Sequence, residues 1–217
     1  MRYYFKKTIT TGLALMLSAV LLLTGCGSKK FDAADYTGAM LDASYKGDFD
    51  AYTEQGIGKK KDAQKMYEDN LNALVEAFSD VFGADMDEES KKQLSDAMAT
   101  LCGHVQYNVG EATADGSHFN VELKVKPLQF SSVLQDDEFN KAAEEAVKKA
   151  IETDQDISSE ELMKVLTRLL IERFDEIAGN PTYADETTMT VVVEKNDQGE
   201  YEISKDSWDL IDRALIQ

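Results

Sequence analysis

The sequence predicts an α+β fold, a helix-rich single domain in which helices pack on a four-stranded antiparallel sheet made of two hairpins. Two kinds of apolar periodicity support this prediction. Apolar residues recur at steps of three and four in some stretches, as in amphipathic helices, and alternate with polar residues in others, as in half-buried strands. No Pro-, Gly- or Ser-rich linker divides the 217 residues, so residues 32–217 are expected to form one domain.

The chain is expected to open with helices. A first helix over residues 33–46 has Asp32 or Asp35 near its start as a cap and Gly47 at its end. A short helical turn begins directly afterwards, at residues 48–52.

Two further helices are predicted before the first strand. A long helix follows the loop 56–61 and ends at Gly83, and another spans residues 88–101 with Asp87 as its cap. Their apolar stripes consist of Tyr67, Leu71, Leu74, Phe78 and Val81 in the first and of Leu94, Met98 and Leu101 in the second.

The first hairpin joins two alternating stretches, residues 105–109 and 119–125. A two-residue loop at Asp115-Gly116 would place apolar residues opposite charged ones. A three-residue loop, Ala114-Asp115-Gly116, keeps apolar residues on one face and puts Gly116 in the left-handed conformation. It predicts that Val105 pairs with Val125, Tyr107 with Leu123, and Val109 with Val121.

Two more helices follow the first hairpin. The first spans residues 136–151 and begins at Asp136, and the second begins at a capping box of Ser158 and Glu161 and ends at 179–181. They are expected to bury Phe139, Ala143, Ala146 and Val147, and then Leu162, Leu166, Leu169, Leu170, Phe174 and Ile177.

A second hairpin and a final helix complete the predicted order. The hairpin joins residues 187–195 to residues 200–204. The helix spans residues 206–215 and carries Trp208, Leu210, Ile211 and Leu215.

The composition excludes several classes of protein. The chain has 41 acidic and 23 basic side chains, a net charge of −18, whereas nucleic-acid binding requires a basic face. Two cysteines cannot form a disulfide scaffold, and 43% hydrophobic residues with two prolines argue against a disordered chain. We therefore expect a globular domain that has no nucleic-acid partner.

Residues 1–25 are predicted to be a signal peptide. A basic start precedes an 11-residue apolar stretch, residues 13–23, which is too short to cross a bilayer core of about 30 Å. The following Leu23-Thr24-Gly25-Cys26 resembles the lipobox of bacterial lipoproteins. The resemblance implies that a type II signal peptidase recognises Leu23, Thr24 and Gly25, and that the Cys26 thiol carries a diacylglycerol once the chain begins at Cys26.

The implied mature protein is anchored to the outer side of the cell membrane. Its partner there is the lipid bilayer, because two palmitate-like acyl chains on Cys26 suffice for stable anchoring. Residues 26–31 form the lipidated cysteine and a tether, whose Lys29 and Lys30 either contact anionic headgroups or act as a solubilising spacer. Because the mature charge is −21, we expect the domain to stand on its tether and not to lie flat.

Histidine and cysteine give no strong catalytic pattern. In the predicted register His118 lies opposite Ala112 and about 26 Å from His104, too far for a shared metal or proton relay. Cys102 and His104 are two residues apart, as a nucleophile and base would need, but no third residue orients them. With Cys26 lipidated, Cys102 has no disulfide partner and is expected to be buried.

Two segments begin like a calcium-binding loop but lack residues that such a loop requires. Residues 154–159 begin like such a loop, yet serine occupies the position that requires glycine and Val165 the position that requires glutamate. Asp85, Asp87 and Glu89 fail likewise at Ser90, and both clusters are more simply helix N-termini. Phosphate-loop and hydrolase motifs are missing from the sequence, so no cofactor, metal or catalytic residue is predicted.

Two groups of residues each allow two interpretations. Lys59-Lys60-Lys61 is either a solvated loop or a docking point for an acidic partner or a wall polymer. An aromatic set near the tether is either core or the lining of a pocket or partner groove. It consists of Tyr36, Tyr45, Phe49 and Tyr52.

Residues 41–52 and residues 199–203 resemble the opening and the ending of uncharacterised lipoproteins of Gram-positive bacteria. The resemblance implies a nuclear-transport-factor-like or cystatin-like α+β domain, in which helices wrap a curved sheet. It implies no reaction. The helix pair between the two hairpins departs from the simple version of that fold.

Two functions follow as expectations. The first is a membrane-anchored module that binds a small ligand, a peptide or an envelope protein, and it requires a concave pocket or an exposed apolar patch. The alternative is an envelope-directed hydrolase that uses Asp/Glu chemistry. It requires a pocket with two carboxyl groups of strongly raised pKa.

Overall fold

The computed structural model of the chain describes residues 31–82, 86–129 and 137–215. This part contains seven α-helices, one π-helical turn and four strands, in the predicted order of helix pair, hairpin, helix pair, hairpin and helix. They are α1 (Ala33–Leu41), the π turn (Asp42–Lys46), α2 (Asp50–Glu54), α3 (Lys60–Phe82), α4 (Glu88–Cys102), β1 (Gln106–Asp115), β2 (His118–Lys126), α5 (Asp137–Thr153), α6 (Ser159–Gly179), β3 (Thr187–Lys195), β4 (Tyr201–Ile203) and α7 (Lys205–Leu215).

The strands form one antiparallel sheet in the order β1-β2-β3-β4. The two hairpins meet where β2 pairs with β3, for example Val121 with Val191. Buried and exposed residues alternate along β2, so one face of the sheet is packed and the other faces solvent. The prediction of a single α+β domain with a four-stranded antiparallel sheet is confirmed.

The predicted register of the first hairpin is wrong. The turn has two residues, Gly116 and Ser117, so Asp115 pairs with His118, and His118 does not lie opposite Ala112. Gly116 does adopt the left-handed conformation, with φ of 60°. Tyr107 pairs with Val125, Val109 with Leu123, and Ala112 with Val121.

A bulge in β1 explains the error. The register shifts between Val109 and Ala112, which inserts an extra residue on this strand. A side chain at Gly110 would place its Cβ 2.9 Å from the Glu122 carboxylate, so glycine permits the close approach. The bulge keeps both Val109 and Ala112 against the core. In an uninterrupted strand these two residues, three positions apart, would point to opposite faces of the sheet.

The packed face of the sheet carries the first of two apolar clusters. Helices α1, α2 and α7 cover it, and side chains from β2, β3 and β4 complete it. The aromatic set of the sequence analysis is buried here, which confirms the core interpretation. Its members are Tyr36, Tyr45, Phe49 and Tyr52, each at most 7% exposed.

The second cluster is a helical layer beyond one end of the sheet. Helix α3 begins in the first cluster, and the ring of its Tyr67 lies next to Gly47. Further along the helix, Leu71 and Leu74 belong to the second cluster. Helix α4 packs against α3, and α6 packs against α4. Leu128, just after β2, belongs to the same cluster and forms an isolated bridge with Tyr183.

The helix that follows the first hairpin differs from its prediction. Helix α5 has no buried residue, and the four residues expected in the core are only half-buried, because this helix packs mainly on α6. On α6 Leu170, Phe174 and Ile177 are buried as predicted, but Leu162, Leu166 and Leu169 are half-buried. Met163 and Thr167 take the buried positions.

The predicted helix caps depend on local hydrogen bonds, and those that can be compared are confirmed. Two helix starts differ from their prediction, because α2 spans Asp50–Glu54 and not residues 48–52, and α3 begins at Lys60, inside the predicted loop 56–61. Asp32 and Asp87 cap α1 and α4, and Ser158 with Glu161 forms the capping box of α6. Gly47 ends the π turn with φ of 63°. Gly83, Asp136 and the side chains of Phe78 and Val81 lie outside the described residues.

Candidate functional site

An open apolar groove lies between α5 and α6. Its volume is about 570 Å³, within the range of ligand sites. Its floor is aliphatic and charged side chains of α5 form its rim. It is lined by Ala143, Val147, Ile151 and Leu166 and by Glu144, Lys148 and Glu152.

Among the described residues, α5 packs mainly against α6, which leaves the junction of the two helices open on one side. The apolar stripe of this helix recurs with helical spacing, as in a helix with one buried face. Yet Ile151 is 43% exposed. The other aliphatic residues of the floor are half-buried, so the groove has an apolar floor that is open to solvent.

The rim of the groove is acidic. Lys148 lies 3.8 Å from Glu152 in an i,i+4 ion pair, and Glu144 lies one turn away on the same side. Two carboxylates therefore accompany one ammonium group around an apolar floor, in a chain with a net charge of −18.

A polar cluster holds the π turn against β1. The Asp42 carboxylate accepts hydrogen bonds from the Tyr107 hydroxyl at 2.6 Å and from Lys46 Nζ at 2.9 Å. The Lys46 ammonium also lies 4.1 Å from the centre of the Tyr107 ring. Burial, followed by the hydrogen bond to Asp42, raises the pKa of Tyr107, so its hydroxyl remains a donor.

A second polar contact is fully internal. The Tyr45 hydroxyl donates a hydrogen bond to Asp212, a residue of α7 that is only 7% exposed. The second carboxylate oxygen of Asp212 is buried and has no hydrogen-bond partner among the described residues. Loss of solvation raises the pKa of Asp212 to about 6, although the Tyr45 hydrogen bond opposes the shift.

The free thiol of Cys102 lies near this pair. Burial, reinforced by the Asp212 charge, raises the pKa of Cys102 to about 12. A thiol in this environment is not a nucleophile at neutral pH. The prediction that Cys102 is buried is confirmed.

The two histidines lie at opposite ends of the first hairpin. His104 lies in the turn before β1, where its carbonyl oxygen accepts a hydrogen bond from the Tyr183 hydroxyl at 2.8 Å. His118 begins β2, and its Nε2 lies 3.5 Å from the Asp115 carboxylate. The structure does not bring the histidines together.

The acidic residues of the two calcium-like segments cap a helix or stabilise a local turn. Asp87 accepts from the Ser90 backbone at 2.7 Å and pairs with Lys164 at 3.0 Å. These contacts, the backbone bond first, lower the pKa of Asp87 to about 2. Asp154 accepts from the Asp156 backbone in a local turn. Within residues 31–82, 86–129 and 137–215, no group of three His, Cys, Asp or Glu side chains is arranged to hold a metal ion.

The triple-lysine segment is exposed and belongs to a helix start. Lys60 pairs with Asp50 at 3.1 Å, and the Lys59 carbonyl accepts the first hydrogen bonds of α3. These contacts favour the solvated-loop interpretation. The lipobox residues Leu23, Thr24, Gly25 and Cys26 lie outside the described residues.

Sequence reasoning missed both the groove and the Tyr45–Asp212 pair. The apolar stripe of α5 was the available signal for the groove. A stripe with helical spacing, however, predicts a helix face buried in the core as readily as one that is open to a ligand. The pair joins residues 167 positions apart, and the sequence carries no local signal for such a contact.

This α+β architecture is also seen in a solved protein. The chain matches a crystal structure of ycdA from Bacillus subtilis, provisionally classed as a lipoprotein, with a TM-score of 0.60 and 20% identity. The match covers 86% of this chain and 56% of that protein, so this chain spans little more than half of its length. At this identity the likeness shows the fold alone. No family model and no curated protein matches the chain.

Proposed function

We propose that this chain is a lipid-anchored extracytoplasmic accessory protein whose groove binds an apolar helical segment with basic flanks, carried by an envelope protein. The groove between α5 and α6 is the observation that carries the proposal. It is the concave apolar surface that a binding module requires, and its aliphatic floor has no partner among the described residues.

The lipid anchor rests on the sequence. The lipobox at Cys26 follows a basic and apolar start in the order that lipoprotein export requires. The fold shared with ycdA supports the same class. Over residues 31–82, 86–129 and 137–215, the structure has no helix that is long and apolar enough to cross a bilayer.

The chemistry of the groove favours a basic partner. An amphipathic helix would place its apolar residues against Val147, Ile151 and Leu166, and its flanking Lys or Arg against Glu144 and Glu152. The acidic surface of the whole chain would accelerate the approach of such a segment. A second copy of this chain would instead bring a second acidic rim to the groove.

Binding to the groove can be measured with model peptides. We expect a fluorescent amphipathic helix of leucine and lysine to bind the soluble domain, and its leucine–glutamate counterpart not to bind. The variant Ile151→Gln should weaken binding of the lysine peptide by about tenfold to a hundredfold, because it removes one buried aliphatic contact worth roughly 1.5–3 kcal/mol. Fluorescence anisotropy measures both affinities.

Leu210→Gln is the matched control. Leu210 is 49% exposed, like Ile151, but it lies on α7, outside the groove. Its substitution should leave the affinity for the lysine peptide unchanged. Unchanged affinity in both variants would mean that the acidic surface alone attracts the peptide, and equal weakening by both would mean that binding is not confined to the groove. A concentration-dependent dimer that Ile151→Gln abolishes would assign the groove to a second copy. Any of these results would overturn the proposed partner.

The lipid anchor has its own test. Intact-mass measurement of the chain purified from membranes should show an N-terminus at Cys26 with the added mass of a diacylglycerol. The Cys26→Ala variant should keep residues 1–25 and lack that added mass, because the thioether cannot form. A wild-type chain that starts elsewhere, or that carries no lipid, would refute the anchor.

The part of the chain that the structure describes offers no support for the hydrolase alternative. That function required two carboxyl groups of raised pKa in a pocket. Asp212, whose pKa is about 6, lies under Tyr45 on α7 and does not line the groove. We therefore do not propose a hydrolase.

A further inference from the structure

The last residue of the tether, Phe31, packs against aromatic residues of the sheet. The Phe31 ring stacks on Tyr201 at 3.7 Å between ring centres with an interplanar angle of 7°. It also lies 5.5 Å from the rings of Phe119 and Tyr36. The Tyr36 hydroxyl donates to the Tyr201 carbonyl at 2.9 Å, and Asp32 caps α1 immediately afterwards. We call these four rings the aromatic clasp.

The aromatic clasp lies at one defined end of the sheet. Phe119 is the second residue of β2, two positions after the turn at Gly116 and Ser117. Tyr201 is the first residue of β4 and follows the turn at residues 196–199. Both hairpin turns and the end of the tether therefore occupy the same end, which we call the turn end.

The helical layer lies in the opposite direction. β2 spans nine residues, about 30 Å, between the turn end and Lys126. The helical layer begins there, at Leu128, which bridges Tyr183 just after the end of α6. Helix α6 is 21 residues, about 31 Å, long, so its first residues can lie far from the sheet. Lys164 meets Asp87 near its far end, beside the loop between α5 and α6.

The tether is short compared with these dimensions. Five peptide links separate Cys26 from Phe31, so their Cα atoms can be at most about 18 Å apart even when the chain is fully extended. A diacylated Cys26 lies at the membrane surface. The turn end must then lie within about 20 Å of that surface, whereas the loop between α5 and α6 can lie far beyond it.

We infer that the aromatic clasp orients the anchored domain with both hairpin turns toward the bilayer and the α5–α6 groove away from it. This inference rests on the lipid anchor proposed above. The turn end carries the acidic residues Asp115 and Asp197, so it faces an anionic bilayer across water without entering it. The groove is consequently open to the extracellular domain of a partner and not to its membrane-spanning part.

The orientation can be measured by energy transfer on vesicles. Gln198 in the β3–β4 turn and Gln155 between α5 and α6 are both exposed glutamines in turns, which makes them matched label sites. Each is replaced by cysteine in a Cys102→Ala background and labelled with a donor dye. The lipidated protein is placed in vesicles of phosphatidylethanolamine and phosphatidylglycerol that carry a headgroup acceptor. Transfer from Gln198→Cys should exceed transfer from Gln155→Cys several-fold.

Two further samples test the cause of the orientation. A flexible Gly-Ser insertion after Lys30 lengthens the tether, and Phe31→Ala removes the central ring of the clasp. Both should reduce the difference between the two label sites while the protein still floats with the vesicles. Equal transfer from both sites in the unaltered lipidated chain, or a difference that neither change reduces, would overturn the inference. A chain that does not float, or that lacks lipid by mass, would instead refute the anchor.

Discussion

The charge of buried Asp212 is expected to lower the free energy of unfolding of the wild-type protein by about 3 kcal/mol between pH 4 and pH 7. Replacing Asp212 with Asn should remove this decrease. The pKa of Asp212 is about 6 in the folded chain, against an ordinary value of 3.8, because burial disfavours its charged form. The folded state therefore binds more protons than the unfolded state in this window. The contribution of Asp212 to stability is highest below pH 4 and is lost as the pH rises through 6.

The measurement is urea unfolding of both proteins at several pH values. The amide of the variant still accepts the Tyr45 hydrogen bond, but it has no charge to bury. The free energy of unfolding of the variant should rise relative to wild type by about 3 kcal/mol from pH 4 to pH 7. Other carboxylates affect both proteins alike, so the difference isolates Asp212.

Asp209→Asn is the control for this prediction. It makes the same substitution on the same helix, at a carboxylate that pairs with Lys205 near the surface at 3.2 Å. We expect Asp209→Asn to retain most of the wild-type pH trend. Parallel stability curves for wild type and Asp212→Asn would show that Asp212 is not desolvated in the folded chain.

Phe174→Ala should cause the largest loss of stability, about 3–5 kcal/mol. Phe174 is 0% exposed in the helical layer, where α3, α4 and α6 meet. Removing its ring leaves a cavity that neighbouring helices can fill only in part. Urea unfolding at neutral pH, followed by circular dichroism, measures the loss.

Phe139→Ala is the matched comparison within the same cluster. Phe139 lies on α5, a helix with no buried residue, and only part of its ring packs against the cluster. The same change should therefore cost less than half as much as Phe174→Ala. Equal losses would mean that α5 is a full member of the core, and the groove between α5 and α6 would then be an interior defect and not a binding surface.

The helix starts were predictable because their interactions are local. Asp32 and Asp87 cap α1 and α4 through backbone groups two or three residues away, and the Ser158–Glu161 box is equally short. A few neighbouring residues contain all the information that such hydrogen bonds need. The alternating strands and helical stripes likewise predicted the order of elements and the α+β class.

The hairpin register and the exposure of α5 were not predictable in this way. The bulge at Gly110 depends on how closely that backbone approaches Glu122 on the neighbouring strand. An apolar stripe shows that α5 has an apolar face but does not say whether one helix or two will cover it.

The sequence by itself determined the order and class of the elements, the helix caps and the motif for a lipid anchor, since each depends on residues that are close in the chain. Only the tertiary structure decided the groove, the buried Tyr45–Asp212 pair and the aromatic clasp at Phe31. These features join positions that are far apart in the chain. Their formation depends on which apolar surfaces bury one another, and that is settled by the packing of the whole domain.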